Sequence, residues 1–169
     1  MRPEELHLSE SIIVEASADD LYDMVSDVAR MGEWSPVCTA CWWDEDDSPR
    51  TGAWFTGRNQ LPERTWETRC LVVSADRGRE FAFAVGGSRV RWGYTFEPVE
   101  EGHTRVTESW DFLEDGIAFF QERHGDDAWA QIRDRAEIAR TGLRETLRAL
   151  RAVAERNREG QQPDPAVSA

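Results

Sequence analysis

Glu108 is the residue of this 169-residue chain whose type and setting most readily invite proton chemistry. It stands in the alternating run Val106-x-Glu108-x-Trp110-x-Phe112, so in an extended strand it shares a face with large apolar side chains and its carboxyl looks inward. A carboxyl among apolar groups resists ionisation, which suits a general acid or base working near neutral pH. The alternative is a glutamate at a frayed strand edge, or one paired with an arginine across a sheet. Tyr94, in Trp92-x-Tyr94-x-Phe96, sits on a comparable face and offers its hydroxyl to a ligand oxygen or to a local partner. Arg58 and Asn59 occupy opposite faces of one extended stretch, so only one of them points inward. An inward Asn59 orients a ligand carbonyl or ties itself to backbone.

Cys38-Thr39-Ala40-Cys41 has the spacing of a redox or metal pair, but it follows Ser35-Pro36 and leads into Trp42-Trp43 as a strand. Positions i and i+3 of a regular strand face opposite sides, and a redox pair favours a helix N-terminus. Zinc wants four ligands, and Cys70, His7, His103 and His124 supply no second paired spacing, so no metal is expected. His103 and His124 have no nucleophile in a suitable context, which argues against a hydrolytic triad. Gly86-Gly87-Ser88 reads as a hairpin turn rather than a phosphate loop, and no cofactor is implied.

Composition narrows the partners. The net charge of −13 argues against nucleic acid and against anionic membranes, both of which need a basic footprint. Every basic residue is arginine, so Schiff-base catalysis by lysine is excluded. The start, Met1 to Leu6, lacks the apolar core of a secretory signal, and no run approaches the roughly 18 apolar residues of a membrane span. An odd number of cysteines makes no disulfide framework and suits a reducing compartment. The expectation is a soluble, cytoplasmic protein without stable membrane insertion. Self-association as a homodimer is left open.

The elements that would position these groups follow from periodicity. Alternation marks strands over 6–15, 37–44, 52–60, 64–75, 79–85, 89–97 and 104–112, with Gly- and Pro-containing turns between the later ones. Ser17, followed by Asp19 and Asp20, caps a short helix, and 28–31 forms a second short turn before Gly32 and Pro36. The stretch 113–125, with Ile117, Ala118, Phe119 and Phe120, reads as a flap or short helix. From Asp126, apolar residues at three- and four-residue steps (Trp129, Ile132, Ala136, Ala139, Leu143, Leu147, Leu150, Ala154) mark the buried stripe of a helix of roughly 28 residues. Its other face carries Arg133, Arg140, Arg144, Arg148 and Arg151, a solvated stripe or a docking surface for an acidic partner. One domain is expected over 1–156, with a disordered tail over 157–169.

Eight tryptophans in one small domain, with rings at alternate strand positions, can line an apolar cavity or simply fill a core. Trp34, Trp66, Phe81, Phe83, Trp92, Tyr94, Trp110 and Trp129 are the lining candidates. Phe120 joins them from the flap.

Strand, two short helices, a meander of strands and a long terminal helix is the order of the helix-grip fold. Glu33-Trp34-Ser35-Pro36-Val37, 52–59 (Gly-Ala-Trp-Phe-Thr-Gly-Arg-Asn), 92–98 (Trp-Gly-Tyr-Thr-Phe-Glu-Pro) and 102–109 (Gly-His-Thr-Arg-Val-Thr-Glu-Ser) resemble the SRPBCC, START-like superfamily, in particular its polyketide cyclase/dehydrase-like branch. The resemblance runs over about 6–155. It implies an α+β fold in which a curved antiparallel sheet of about seven strands wraps the C-terminal helix, as in START and Bet v 1-like proteins. It also implies inward placement of Phe55, Gly57 and Asn59, and a cavity for a lipid, polyketide or other hydrophobic small molecule. Three functions are consistent with it: a carrier or sensor of such a molecule; a polyketide aromatase/cyclase or dehydratase using Glu108 with Tyr94 or Asn59; and a protein-interaction module.

Overall fold

Alternating β-branched and aromatic residues separated by glycine turns give a chain of hairpins, and seven strands form one antiparallel sheet. The computed structural model describes residues 3–161. The strands are β1 (His7–Val14), β2 (Cys38–Trp43), β3 (Trp54–Leu61), β4 (Arg64–Asp76), β5 (Glu80–Val85), β6 (Val90–Glu100) and β7 (His103–Phe112). The helices are α1 (Ala18–Ser26), α2 (Glu114–His124) and α3 (Ala128–Gln161), with a 3-10 turn over Val28–Glu33. In the sheet the order is β1-β7-β6-β5-β4-β3-β2, so β2 to β7 run as a meander and β1 closes on β7, leaving β1 and β2 as edges. Register shifts at Thr39, Val73 and Val99 are β-bulges, which add the bend that lets the sheet curve around a helix. The expected α+β helix-grip architecture is present.

Local signals explain the helix ends. The Ser17 side chain accepts a hydrogen bond from the Asp20 N–H at 3.1 Å, and Asp19 and Asp20 sit in the positive first turn of α1. The stretch expected as a flap is a regular helix, α2, with Glu114 and Asp115 at its start and Arg123 and His124 at its end, where each suits the helix dipole. α3 runs past the expected limit at 156 to Gln161, and Arg158 pairs with Glu15 at 3.1 Å, which ties that last segment to the end of β1. The remainder of the expected tail, 162–169, lies outside the described residues. No helix among the described residues is long and apolar enough to cross a membrane.

Two apolar groups make up the core. One joins α1, the inner face of β2 to β6 and the C-terminal half of α3 through Leu147, Leu150, Val153 and Ala154. The other joins Trp110 and Phe112 of β7 to Ile132, Ala136 and Ala139 in the N-terminal half of α3, with Ile117 and Phe120 of α2 and Leu6 and Leu8 packed on it.

Candidate functional site

On β7, Val106 belongs to the first apolar group and Trp110 to the second, and Glu108 lies between them on the same inward face. The register places Glu10 of β1 and Tyr94 of β6 on either side of it. Glu108 is 2% exposed, so its inward placement is as the alternation indicates and the frayed-edge alternative does not hold. Nor does it take an arginine partner. The neighbouring Glu10 does that, accepting from Arg144 Nε of α3 at 2.9 Å.

The Tyr94 hydroxyl donates to Glu108 Oε1 at 2.8 Å. Glu108 Oε2 is buried and has no hydrogen-bond partner among the described residues. Burial pushes the carboxyl up to about 8, with the Tyr94 hydrogen bond pulling the other way, so at neutral pH the group is mostly the neutral acid. Because Oε1 already accepts from Tyr94, the proton belongs on Oε2, which makes this oxygen a buried donor with nothing to donate to. Burial and the adjacent carboxyl push the Tyr94 phenol up as well, so it stays a donor over the physiological range.

The aromatic residues divide into two kinds. Tyr22, Phe81, Phe83, Phe55 and Trp43 form a continuous series of contacts, with centroids 6.2 Å apart for Tyr22–Phe81, 5.1 Å for Phe55–Phe83 and 5.6 Å for Trp43–Phe55. Edge-on packing of this kind is close-packed core, and Phe55, Phe81 and Phe83 are all buried in it. Trp34, 3% exposed, belongs to that core too. Trp92, half-buried, packs on both apolar groups and stands next to the Glu108–Tyr94 pair. Phe120 lies edge-on to Phe112 at 5.2 Å and is also half-buried, and Trp110 adjoins Phe112. Trp66 is half-buried with the Arg64 guanidinium 4.4 Å from its ring centroid. The Asn59 amide donates to Thr68 Oγ1 at 3.1 Å, a local tie within the hairpin. Trp129 is 40% exposed and is not brought to the interior: it starts α3 one position after the buried Ala128, off the stripe continued by Ile132, Ala136 and Ala139.

Two open concavities flank α3. One, of about 430 Å³, lies between the β3–β4 hairpin (Leu61 to Arg64) and Asp134 and Ile138 of α3. The other, of about 530 Å³, lies between α1 and the end of α3, with Asp20, Asp23, Arg30 and Arg158 making it polar. Neither is lined by Glu108 or Tyr94.

The cysteine pair departs most from expectation. The bulge at Thr39 breaks the two-residue period, so Cys38 and Cys41 both face inward and their sulfurs are 3.2 Å apart. The run Cys38, Cys41, Trp43 of inward residues, spaced three and then two, is the sequence signal of that phase slip. Cys38 is held below the usual thiol range by a hydrogen bond from Cys41, while Cys41 is raised by donating it and by burial.

The chain matches the family described as polyketide cyclase/dehydrase and lipid transport over residues 5–155. It belongs to that family. A polyketide-cyclase-like protein of Corynebacterium glutamicum, solved by NMR, is 46% identical, with a TM-score of 0.67 and 94% of this chain and 97% of that one covered. The di-domain ARO/CYC StfQ of the steffimycin biosynthetic pathway is similar in fold at 14% identity, with a TM-score of 0.66 over 93% of this chain and 53% of that one. So is a START superfamily protein of Mycobacterium smegmatis, at 15% identity and a TM-score of 0.63 over 89% and 98%. No curated protein matches the chain. The two low-identity neighbours show that the fold is shared with a START superfamily protein and with an ARO/CYC protein.

Proposed function

We propose that this polyketide cyclase/dehydrase family member binds a hydrophobic small molecule between the sheet and α3, with neutral Glu108 as its polar anchor. The unpartnered, fully buried Oε2 supports this reading most directly. An unpaired buried polar atom costs about 1–3 kcal/mol, and a ligand oxygen that accepts from it recovers that cost. Affinity comes mainly from apolar burial, at about 25 cal/mol per Å² before the costs of association. Since the acid is closed off, the ligand enters by parting half-buried side chains around Trp92, Trp110 and Phe120. Native mass spectrometry of freshly purified protein, with displacement of a fluorescent lipid probe, tests the reading. A co-purifying apolar species is expected, and repeated absence of both a bound species and probe binding overturns it.

A second reading, a cyclase or dehydratase, is favoured by the Glu108 pKa of about 8. With both protonation states available near neutral pH, the Glu108 carboxylate takes a proton from carbon and gives it to the departing hydroxyl, so that substrate becomes alkene and water and the carboxylate is regenerated. Tyr94 then steadies the carboxylate form through its hydroxyl. Turnover of a polyketide-like substrate that falls by two or more orders of magnitude in Glu108→Gln supports this reading, and unchanged turnover removes it.

A further inference from the structure

Cys38, Cys41 and Met31 place three sulfur atoms at the inner side of the β2 edge, unused by the ligand reading. Cys41 Sγ is 3.2 Å from Cys38 Sγ and 3.8 Å from Met31 Sδ, and the three residues are 7%, 7% and 8% exposed. We propose that this sulfur cluster is a binding site for a soft monovalent metal ion, copper(I), held by two thiolates and one thioether.

The surrounding backbone is arranged around that cluster. The bulge at Thr39 turns both cysteines to one side, and the Cys38 N–H is fixed by Ser35 Oγ at 2.9 Å. The 3-10 turn carrying Met31 is pressed against the bulge at Gly32, where a Cβ would stand only 2.7 Å from the Thr39 carbonyl oxygen, so only glycine permits the approach. Facing the two thiols across the sheet is Gly57, where a Cβ would come to 3.3 Å from Cys41 Sγ and 3.6 Å from Cys38 Sγ. A side chain is therefore missing on the face toward which both sulfurs are directed.

The donor set selects the ion. Thiolate and thioether are the ligands preferred by copper(I), whereas structural zinc takes four ligands and rarely a thioether. The third donor is the Met31 thioether, whose Sδ lies 3.8 Å from Cys41 Sγ. Three sulfurs around one ion at about 2.3 Å stand roughly 4 Å apart. The Cys41–Met31 separation already meets this, and the thiols must spread by less than about 1 Å. Binding exchanges two thiol protons for one copper(I); no electron moves, and the two protons leave to solvent.

Anaerobic titration of the reduced full chain with copper(I) against a coloured copper(I) chelator tests the site. One equivalent is expected to pass from chelator to protein, with only sulfur in the metal's first shell by X-ray absorption. Met31→Leu, which keeps core volume and both thiols, is expected to loosen binding by at least about tenfold, and Cys38→Ser with Cys41→Ser to abolish it. Circular dichroism of each variant confirms that the fold persists. Copper left on the chelator by the wild type, binding retained in the double serine variant, equal affinity in Met31→Leu, or zinc(II) held as tightly would each overturn the assignment.

Discussion

The two halves of α3 meet the same sheet in different ways. Its C-terminal half brings Leu147, Leu150 and Val153 against α1 and the interlocked rings of Phe81, Phe55 and Phe96, all buried. Its N-terminal half brings Ala136 and Ala139, with Ile132 and Leu143 as its large buried side chains, and beside the buried Trp110 and Phe112 the groups packed on it (Ile117, Phe120, Val90, Trp92) are only half-buried. Large branched side chains against rings give a rigid, filled end. Small ones beneath partly exposed rings give an end that can yield, and Glu108 stands where one passes into the other. The acid thus has a stiff wall on one side and a movable one on the other.

Breaking the stiff end should have the largest effect. Phe81→Ala, at a side chain with no exposure, is expected to cost about 3–5 kcal/mol in urea unfolding, because the surrounding rings cannot collapse into the space. Next is Glu108→Gln, which keeps an oxygen for Tyr94 but cannot ionise. The folded protein retains the Glu108 proton to about pH 8, whereas an unfolded glutamate loses it near 4.5, so wild-type stability falls as pH rises between those values and levels off above. The variant should match the wild type near pH 5 and exceed it by on the order of 3–5 kcal/mol at pH 9, and a flat difference across that range would show the carboxyl to be solvated.

At the yielding end, Phe120→Ala should cost less than Phe81→Ala, about 1–2 kcal/mol, since its ring is only partly buried, yet should change probe affinity more than any equally mild substitution in the filled end. Equal effects of Phe120→Ala and Phe81→Ala on unfolding would erase the distinction between the halves. Smallest of all, Trp129→Ala should cost less than about 1 kcal/mol, as expected for a position that is 40% exposed.

Much of this arrangement was legible in the sequence because it rests on local periodicity. The two-residue alternation through Trp92, Tyr94 and Phe96 and through Val106, Glu108 and Trp110 sets which side chains face in, and a capped Ser17 or a three-four stripe from Ile132 marks a helix by chemistry that acts within a few residues. What escaped depends on contacts distant in sequence. Whether rings line a space or fill it turns on how Phe55, Phe83 and Tyr22 meet across three elements, which alternation alone does not encode. One extra residue at Thr39 reverses the facing of everything after it, so the argument from regular spacing separated two cysteines that the bulge brings together. Trp129 misled because a large apolar residue at the start of an amphipathic stripe looks like part of it, although helical rotation carries it to the solvent side.

The bulge at Thr39 also bears on how this protein behaves in a crowded solution. β2 ends the sheet, and a straight, flat terminal strand carrying Trp42 would offer unsatisfied amides and an indole to any neighbouring chain. The kink interrupts that row of amides, and the Arg58 guanidinium lies 5.4 Å from the Trp42 ring centroid, covering it with charge. Deleting Thr39 to restore a regular ladder should therefore promote stacking of molecules edge to edge, so that the irregularity doubles as protection against fibril-like assembly.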